Sequence, residues 1–123
     1  MPHQANLWTR FSDSLAQALD TISKEHGWAM TDAYDQAINS FYDAWRAGQT
    51  SHRYQGFPPD VRERTLWVSR DASQAIRTIA KAERMSGAVV AHEALRWYCE
   101  KQGYPVTFSY PKLQEAAPDS PAD

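Results

Sequence analysis

The side chains that most often carry chemistry are sparse in this sequence and show no catalytic or metal-ligand spacing. Its four histidines are scattered, and His92, beside Glu93 in a helical segment, has no second histidine at zinc-binding spacing. Cys99 is the only cysteine, which excludes an internal disulfide and a cysteine-based metal site. The sequence contains neither a glycine-rich phosphate loop nor a serine nucleophile elbow. We therefore expect no enzyme, no cofactor, no metal and no small-molecule substrate.

Charge is the remaining source of binding chemistry, and it is unevenly distributed. The 123 residues carry a formal net charge of −2, which by itself does not indicate a nucleic-acid-binding protein. Residues 1–46 contain three basic and six acidic residues, whereas residues 63–103 contain seven basic and five acidic ones. A polyanion would therefore bind mainly through the second half of the chain.

The elements that would position these charges occur twice. Residues 17–24 read QALDTISK and residues 74–81 read QAIRTIAK, so five of eight positions are identical at a separation of 57 residues, from 17 to 74. The same separation aligns Phe41 with Tyr98 without a gap. Self-similarity over this length indicates two copies of one structural unit.

Each copy has the same order of patterns. A short alternation of apolar and polar residues, at 7–11 in the first copy and 65–69 in the second, predicts a strand. A serine or aspartate then caps an amphipathic helix, and after a break at Gly27 or Arg84 a second helix follows that is rich in large apolar residues. Glycine and proline in residues 47–62, between the copies, are typical of a linker.

These patterns predict a mainly α-helical fold with a short two-stranded antiparallel β-ribbon. One short strand lacks a partner and two short helices cannot cover their own apolar faces, so neither copy is expected to fold alone. We expect one folded unit in which the first copy (residues 7–46) and the second copy (residues 63–103) pair through their strands. Residues 47–62 would be the linker, and residues 104–123 an extended or disordered tail.

The order of strand, polar cap, helix, turn and second helix resembles the ribbon–helix–helix superfamily of the MetJ/Arc type. Leu19 to Gly27, followed by Thr31 to Ile38, is similar to the helix–turn–helix spacing of that family, and the resemblance covers most of the chain. Two copies in one chain resemble the tandem form known among plasmid conjugation accessory proteins. The resemblance implies an intramolecular tandem pseudo-dimer that binds double-stranded DNA sequence-specifically, with its ribbon in the major groove. Such a protein would be a transcriptional regulator or a conjugation (relaxosome) accessory factor.

The resemblance also implies which residues contact DNA. Strand alternation would turn one set of side chains towards base edges, namely Trp8, Arg10, Ser12, Thr65, Trp67 and Ser69. Phosphates would be bound by amides at the start of each second helix and by two arginines that flank the second strand, namely Ala29, Met30, Thr31, Ser86, Gly87, Ala88, Arg64 and Arg70. Because the two copies present different side chains, the two half-sites on DNA should differ.

Two other functions remain open. The acidic first copy and the outward tryptophans favour a protein–protein interaction module that keeps this fold but has lost DNA contact, and an antitoxin would bind a toxin through the tail from Tyr104. Besides DNA, the expected partners are further copies of the chain on adjacent sites, or another protein through the tail. No apolar run approaches the roughly 20 residues that cross a bilayer, and the N-terminus does not resemble a signal peptide. We therefore expect a cytoplasmic protein without a membrane partner.

Overall fold

The computed structural model describes residues 5–50, residue 57 and residues 61–104. Within them the chain forms, in order, β1 (Ala5–Phe11), α1 (Asp13–His26), α2 (Met30–Arg46), β2 (Arg62–Val68), α3 (Arg70–Glu83) and α4 (Gly87–Lys101). The described part is thus mainly helical, with β1 and β2 paired in one two-stranded antiparallel sheet, as the sequence predicts. Most of the predicted linker 47–62 and, apart from Tyr104, the predicted tail 104–123 lie outside the described residues.

Corresponding elements of the two halves are separated by the same distance along the chain. β2, α3 and α4 each begin 57 residues after β1, α1 and α2, as with Ala5 and Arg62. Ser12 and Ser69 cap α1 and α3 in the same way, because each hydroxyl accepts a hydrogen bond from the backbone N–H three residues later. The internal repeat of the sequence is therefore also a repeat of secondary structure.

One hydrophobic core lies between the inner face of the sheet and the helices. Phe11, Leu66 and Val68 from the strands are at most 2% exposed. They share a cluster with apolar residues of every helix, including Leu15, Leu19, Ile22, Ile38, Phe41, Ile76, Ile79, Val90 and Leu95. Full burial of each such side chain contributes about 1.5–3 kcal/mol, and both halves supply the cluster. Either half alone would expose much of this apolar surface.

Polar contacts join each half to the other. The hydroxyl of Thr9 in β1 donates a 2.7 Å hydrogen bond to the carbonyl oxygen of Ala88 in α4, and both are buried. The backbone N–H of Ser69, which follows β2, donates to Asp35 Oδ1 in α2 at 2.8 Å. Each strand region is therefore held by the second helix of the other half, so the two halves interlock.

Helix α4 carries a charged group into the core. The side chain of Glu93 is 0% exposed, and its Oε1 accepts hydrogen bonds from Arg96 Nη2 at 2.8 Å and Nε at 3.2 Å. His92 Nδ1 lies 3.2 Å from Glu93 Oε2, and Arg96 also pairs with the exposed Glu100 at 2.9 Å. The buried carboxylate thus has the charged and polar partners that its removal from water requires.

Candidate nucleic-acid interface

The candidate interface is the face of the β1–β2 ribbon that points away from the core, which we call the outer face. In the antiparallel register its members form three directly opposed pairs, Asn6 with Trp67, Trp8 with Thr65, and Arg10 with Glu63. Opposed residues lie on the same side of a sheet. The intervening residues of the two strands form the inner face, which is buried at Thr9, Phe11, Leu66 and Val68. Four of the predicted base-contacting residues, Trp8, Arg10, Thr65 and Trp67, therefore lie on the outer face, and their contact with DNA stays a prediction.

Two tryptophans dominate the middle and one end of the outer face. The side chains of Trp8 and Trp67 are the large hydrophobic ones exposed among the described residues, at 46% and 51%. They occupy neighbouring pairs on opposite strands, and such diagonal neighbours lie about 7–8 Å apart. Adjacent exposed indoles form an apolar surface of the kind that marks a binding site.

Arg10 lies at the other end of the outer face, where its guanidinium group contacts a carboxylate and two aromatic rings. Arg10 Nη2 is 3.6 Å from Glu63 Oε2, and Arg10 Cζ is 5.2 Å from the ring centroid of Trp8 and 5.6 Å from that of Phe57. Its Nε is buried without a hydrogen-bond partner in the described part of the chain. An exposed ion pair contributes at most about 1 kcal/mol, so a base edge could replace Glu63 as the partner of Arg10.

Sequence reasoning misses two members of the outer face, Asn6 and Glu63. Both extend a strand beyond its apolar alternation, which begins at Leu7 in β1 and at Thr65 in β2, so neither is marked by hydrophobic periodicity. The repeat contains the missing signal, because Asn6 and Glu63 occupy equivalent positions 57 residues apart. Their amide and carboxylate add hydrogen-bonding groups to a face that is otherwise largely aromatic.

The two serines predicted as base contacts serve the helices instead. Ser12 is 0% exposed, and its hydroxyl accepts a 3.2 Å hydrogen bond from Leu15 N, so the prediction that it faces outward is wrong. Ser69 is half-buried, and its hydroxyl accepts from Ala72 N at 3.1 Å. The physical reason is the same at both positions, because the first amides of a helix lack partners within the helix and a serine at the N-cap supplies one.

The first predicted phosphate site, at the start of α2, already contains a carboxylate. Asp32 Oδ2 accepts a 3.2 Å hydrogen bond from Ala29 N, and the Asp32 amide is itself bonded to the Ala29 carbonyl oxygen. The negative charge of Asp32 therefore occupies the position that a phosphate would take. Ala29 is exposed, and Met30 and Thr31 are half-buried, but the electrostatics of this end disfavour an anion.

The second predicted phosphate site, at the start of α4, differs in charge. The first turn of α4 contains no acidic residue, and the Ser86 hydroxyl accepts a 3.2 Å hydrogen bond from Val89 N. Gly87 is half-buried and Ala88 is buried against the ribbon through its bond to Thr9. Of the two helix starts, this one is the better suited to a phosphate, although Ala88 is covered by β1.

Of the two predicted phosphate-binding arginines, one already has several partners within the protein. Arg64 lies over the ring of Phe11 at 4.5 Å, donates to the Phe11 carbonyl oxygen at 3.2 Å and pairs with Asp13 at 2.9 Å. Its positive charge also partly offsets the rise that burial causes in the pKa of Tyr34. Arg64 thus links β2 to the start of α1, and its contact with a phosphate stays a prediction. Arg70, the first residue of α3, is exposed.

In the described part of the chain, no helix is long and apolar enough to cross a membrane, and no group of three or more His, Cys, Asp or Glu side chains could hold a metal ion. A scan of protein-family models, a search of curated proteins and a search of solved structures each return no match to this chain.

Proposed function

We propose that this chain is a sequence-specific double-stranded DNA-binding protein of the ribbon–helix–helix kind, folded as an intramolecular tandem pseudo-dimer. The observation that carries the proposal is the outer face, an exposed antiparallel ribbon to which both halves contribute. Trp8 and Thr65, which are equivalent in the repeat, are directly opposed at its centre. An approximate two-fold axis would therefore pass through the middle of the ribbon, as in a dimer of two separate chains.

The interlocked contacts support the pseudo-dimer. Thr9 of the first half bonds to Ala88 of the second, and Ser69 of the second half bonds to Asp35 of the first. Because of these reciprocal contacts, both copies contribute to the ribbon and to the helical layer. A two-stranded ribbon fits the major groove of B-DNA, so the outer face would meet base edges while the helices remain outside the groove.

The outer face suggests which bases are read. At one end, Arg10 would donate to guanine O6 and N7, and Glu63 would accept from the amino group of cytosine. At the other end, Asn6 would bond adenine and Trp67 would contact a thymine methyl group. Four residues of strand separate Asn6 from Arg10, about 14 Å, which matches roughly four base-pair steps. We therefore expect a non-palindromic site with an A·T pair and a G·C pair about four positions apart.

A transcriptional regulator and a conjugation accessory factor would use this same contact and differ only in the DNA bound. Either would act in the cytoplasm and could bring further copies of the chain to adjacent sites, because one ribbon covers only a short stretch of duplex. The single-chain arrangement would fix which copy reads which half-site.

Equilibrium binding to duplexes selected from a random pool tests the proposal. We expect affinity to fall steeply between about 50 mM and 200 mM salt, because phosphate contacts release counterions. Arg10→Ala should lose about 1–3 kcal/mol of discrimination at the G·C position, as the loss of a bidentate contact implies. Arg46→Ala removes an equal charge at the far end of α2 and is the matched control. Equal affinity and selectivity for Arg10→Ala and the wild type would refute the assignment of Arg10.

A protein–protein interaction module is the second candidate, and one observation favours it. Trp8 and Trp67 are exposed, while the Arg10–Glu63 pair leaves the outer face with no net charge from its six members. A neutral aromatic face is typical of the centre of a protein interface. If the wild type binds no duplex even at low salt, this second function replaces the first.

A further inference from the structure

A polar groove of about 300 Å³ lies beside the ribbon, between α3 and the first residue of β1. Its lining consists of Ala5, Arg70, Ser73, Gln74 and Arg77. The four helical residues follow the spacing i, i+3, i+4 and i+7, so they occupy one face of α3. The groove therefore brings together two guanidinium groups, a hydroxyl and a carboxamide, and none of its lining residues is acidic.

The two arginines of the groove are not neutralised by the described residues. Arg70 and Arg77 are both exposed, and no carboxylate within residues 5–50, 57 and 61–104 forms an ion pair with either. Arg70 is also the first residue of α3, where the positive end of the helix dipole disfavours a cation. A bound anion would relieve both the repulsion between the arginines and the unfavourable position of Arg70.

The groove is also lined by Ser73, whose hydroxyl makes no hydrogen bond in the described part of the chain. Ser73 is 5% exposed, and its side chain lines the groove. The hydroxyl is therefore available to donate a hydrogen bond to an acceptor oxygen of a ligand in the groove.

The equivalent face of α1 shows that the fold itself does not require these cations. The residues 57 positions earlier are Asp13, Ala16, Gln17 and Asp20, so acidic side chains replace both arginines. Asp13 pairs there with Arg62 at 3.4 Å and with Arg64 at 2.9 Å. The equivalent helix thus folds with the opposite charge at these two positions, so the fold does not require the arginines of α3.

We propose that the groove is a phosphate site, in which Arg70 and Arg77 neutralise the anion while Ser73 and Gln74 donate hydrogen bonds to its oxygens. The phosphate would be a backbone phosphate of a duplex beside the ribbon, a source that rests on the proposed DNA binding, or the phosphate group of a small molecule. In either case the site belongs to the second half alone, because its counterpart on α1 is acidic.

Titration with inorganic phosphate, followed by ¹⁵N–¹H NMR of the full chain, tests the site directly. Sodium chloride at equal ionic strength is the reference. We expect saturable shifts of the amides of residues 70–77 with phosphate, and their loss in Arg70→Gln/Arg77→Gln, which keeps helix propensity and changes exposed side chains only. The control Arg46→Gln/Lys101→Gln removes two positive charges from the ends of α2 and α4 and should keep the shifts. Shifts that do not saturate, or that persist in Arg70→Gln/Arg77→Gln, would overturn the site.

The salt dependence of duplex binding identifies the source of the phosphate. The slope of log Kobs against log salt is negative, and each lost phosphate contact reduces its magnitude by about 0.9. We expect Arg70→Gln/Arg77→Gln to reduce the slope by about 1 or more and the control double variant to leave it unchanged. Saturable phosphate binding with an unaltered slope would assign the groove to a small phosphorylated ligand. A wild type that binds no duplex would refute the proposed function, while the phosphate titration would still decide the groove.

Discussion

The buried carboxylate of Glu93 allows a direct test of how α4 is held in the core. Glu93→Gln keeps the side-chain volume and one carbonyl oxygen but removes the charge that Arg96 and His92 face. Arg96 has a side chain only 20% exposed, so it would keep a positive charge in a partly desolvated position with its buried partner neutralised. The substitution should therefore destabilise the folded protein.

The magnitude follows from the contacts of Arg96. Removal of one partner from a buried ion pair costs about 3–5 kcal/mol. Arg96 retains Glu100 at 2.9 Å, which places the expected loss at the lower end, about 3 kcal/mol. A domain of this size has a total stability of about 5–15 kcal/mol, so the melting temperature should fall by roughly 10–20 °C.

Glu100→Gln is the matched control, because it makes the same chemical change on the same helix and to the same arginine. Its carboxylate is 46% exposed, and an exposed pair four residues apart on a helix contributes about 0.3–0.5 kcal/mol. Urea unfolding followed by far-ultraviolet circular dichroism would compare the two variants. If Glu93→Gln and Glu100→Gln unfold at the same urea concentration, the reasoning from burial is refuted.

Three further predictions concern the Cys99 thiol and the ends of two helices. Burial raises the pKa of the Cys99 thiol to about 12, and the charge of Glu100 adds to the rise. We therefore expect a disulfide reagent at about pH 8 to label Cys99 only as fast as the protein unfolds. Labelling at the rate of a free thiol would contradict the burial of Cys99. Because the thiol of the unfolded chain ionises near pH 8.5, the free energy of unfolding should fall as pH rises above about 9, which urea titrations at about pH 8 and 10 would measure. Arg84 follows α3 with a left-handed backbone (φ 58°), which favours glycine, so Arg84→Gly should raise the free energy of unfolding by about 0.5–1 kcal/mol. Gly27 has φ 70°, and nothing lies within 4 Å of an added Cβ, so Gly27→Ala should lower the free energy of unfolding by a similar amount through backbone strain alone. Identical melting temperatures for the wild type and both variants would show that the left-handed backbone at these two positions does not affect the stability of the protein.

The fold was predictable where a local pattern coincides with burial. Phe11, Leu66 and Val68 alternate with outward-facing residues and are buried, so a period of two was sufficient to predict part of each strand and its inner face. It did not predict where the strands begin, because β1 begins at Ala5 and β2 at Arg62. The caps Ser12 and Ser69 were also visible as polar residues before apolar helices. The antiparallel pairing followed from the repeat, because each strand needs a partner and the second copy supplies one.

The candidate site was harder to predict because its decisive contacts join distant segments. Arg64 and Asp13 lie 51 residues apart, and no pattern in either segment indicates that they pair. Asn6 and Glu63 carry no periodic signal, since polar residues at strand ends look like loop residues. The burial of Glu93 is equally hidden, because a charged residue on a helix normally faces solvent and only the packing of α4 at the centre of the core overrides that expectation.

The distribution of differences between the two halves has a consequence for any DNA complex. Positions that serve the scaffold remain alike, as in the caps Ser12 and Ser69 and in the buried Ile22 and Ile79. Positions on the outer face differ at every equivalent pair, namely Asn6 and Glu63, Trp8 and Thr65, and Arg10 and Trp67. On the exposed faces of α1 and α3 the charge is reversed at two equivalent pairs, Asp13 and Arg70, and Asp20 and Arg77. A dimer of identical chains presents the same side chains to both half-sites and is restricted to nearly palindromic DNA. Two covalently joined copies that keep one scaffold but differ at every position of the outer face would instead bind a directional site in a single orientation, with the acidic half and the basic half at defined ends.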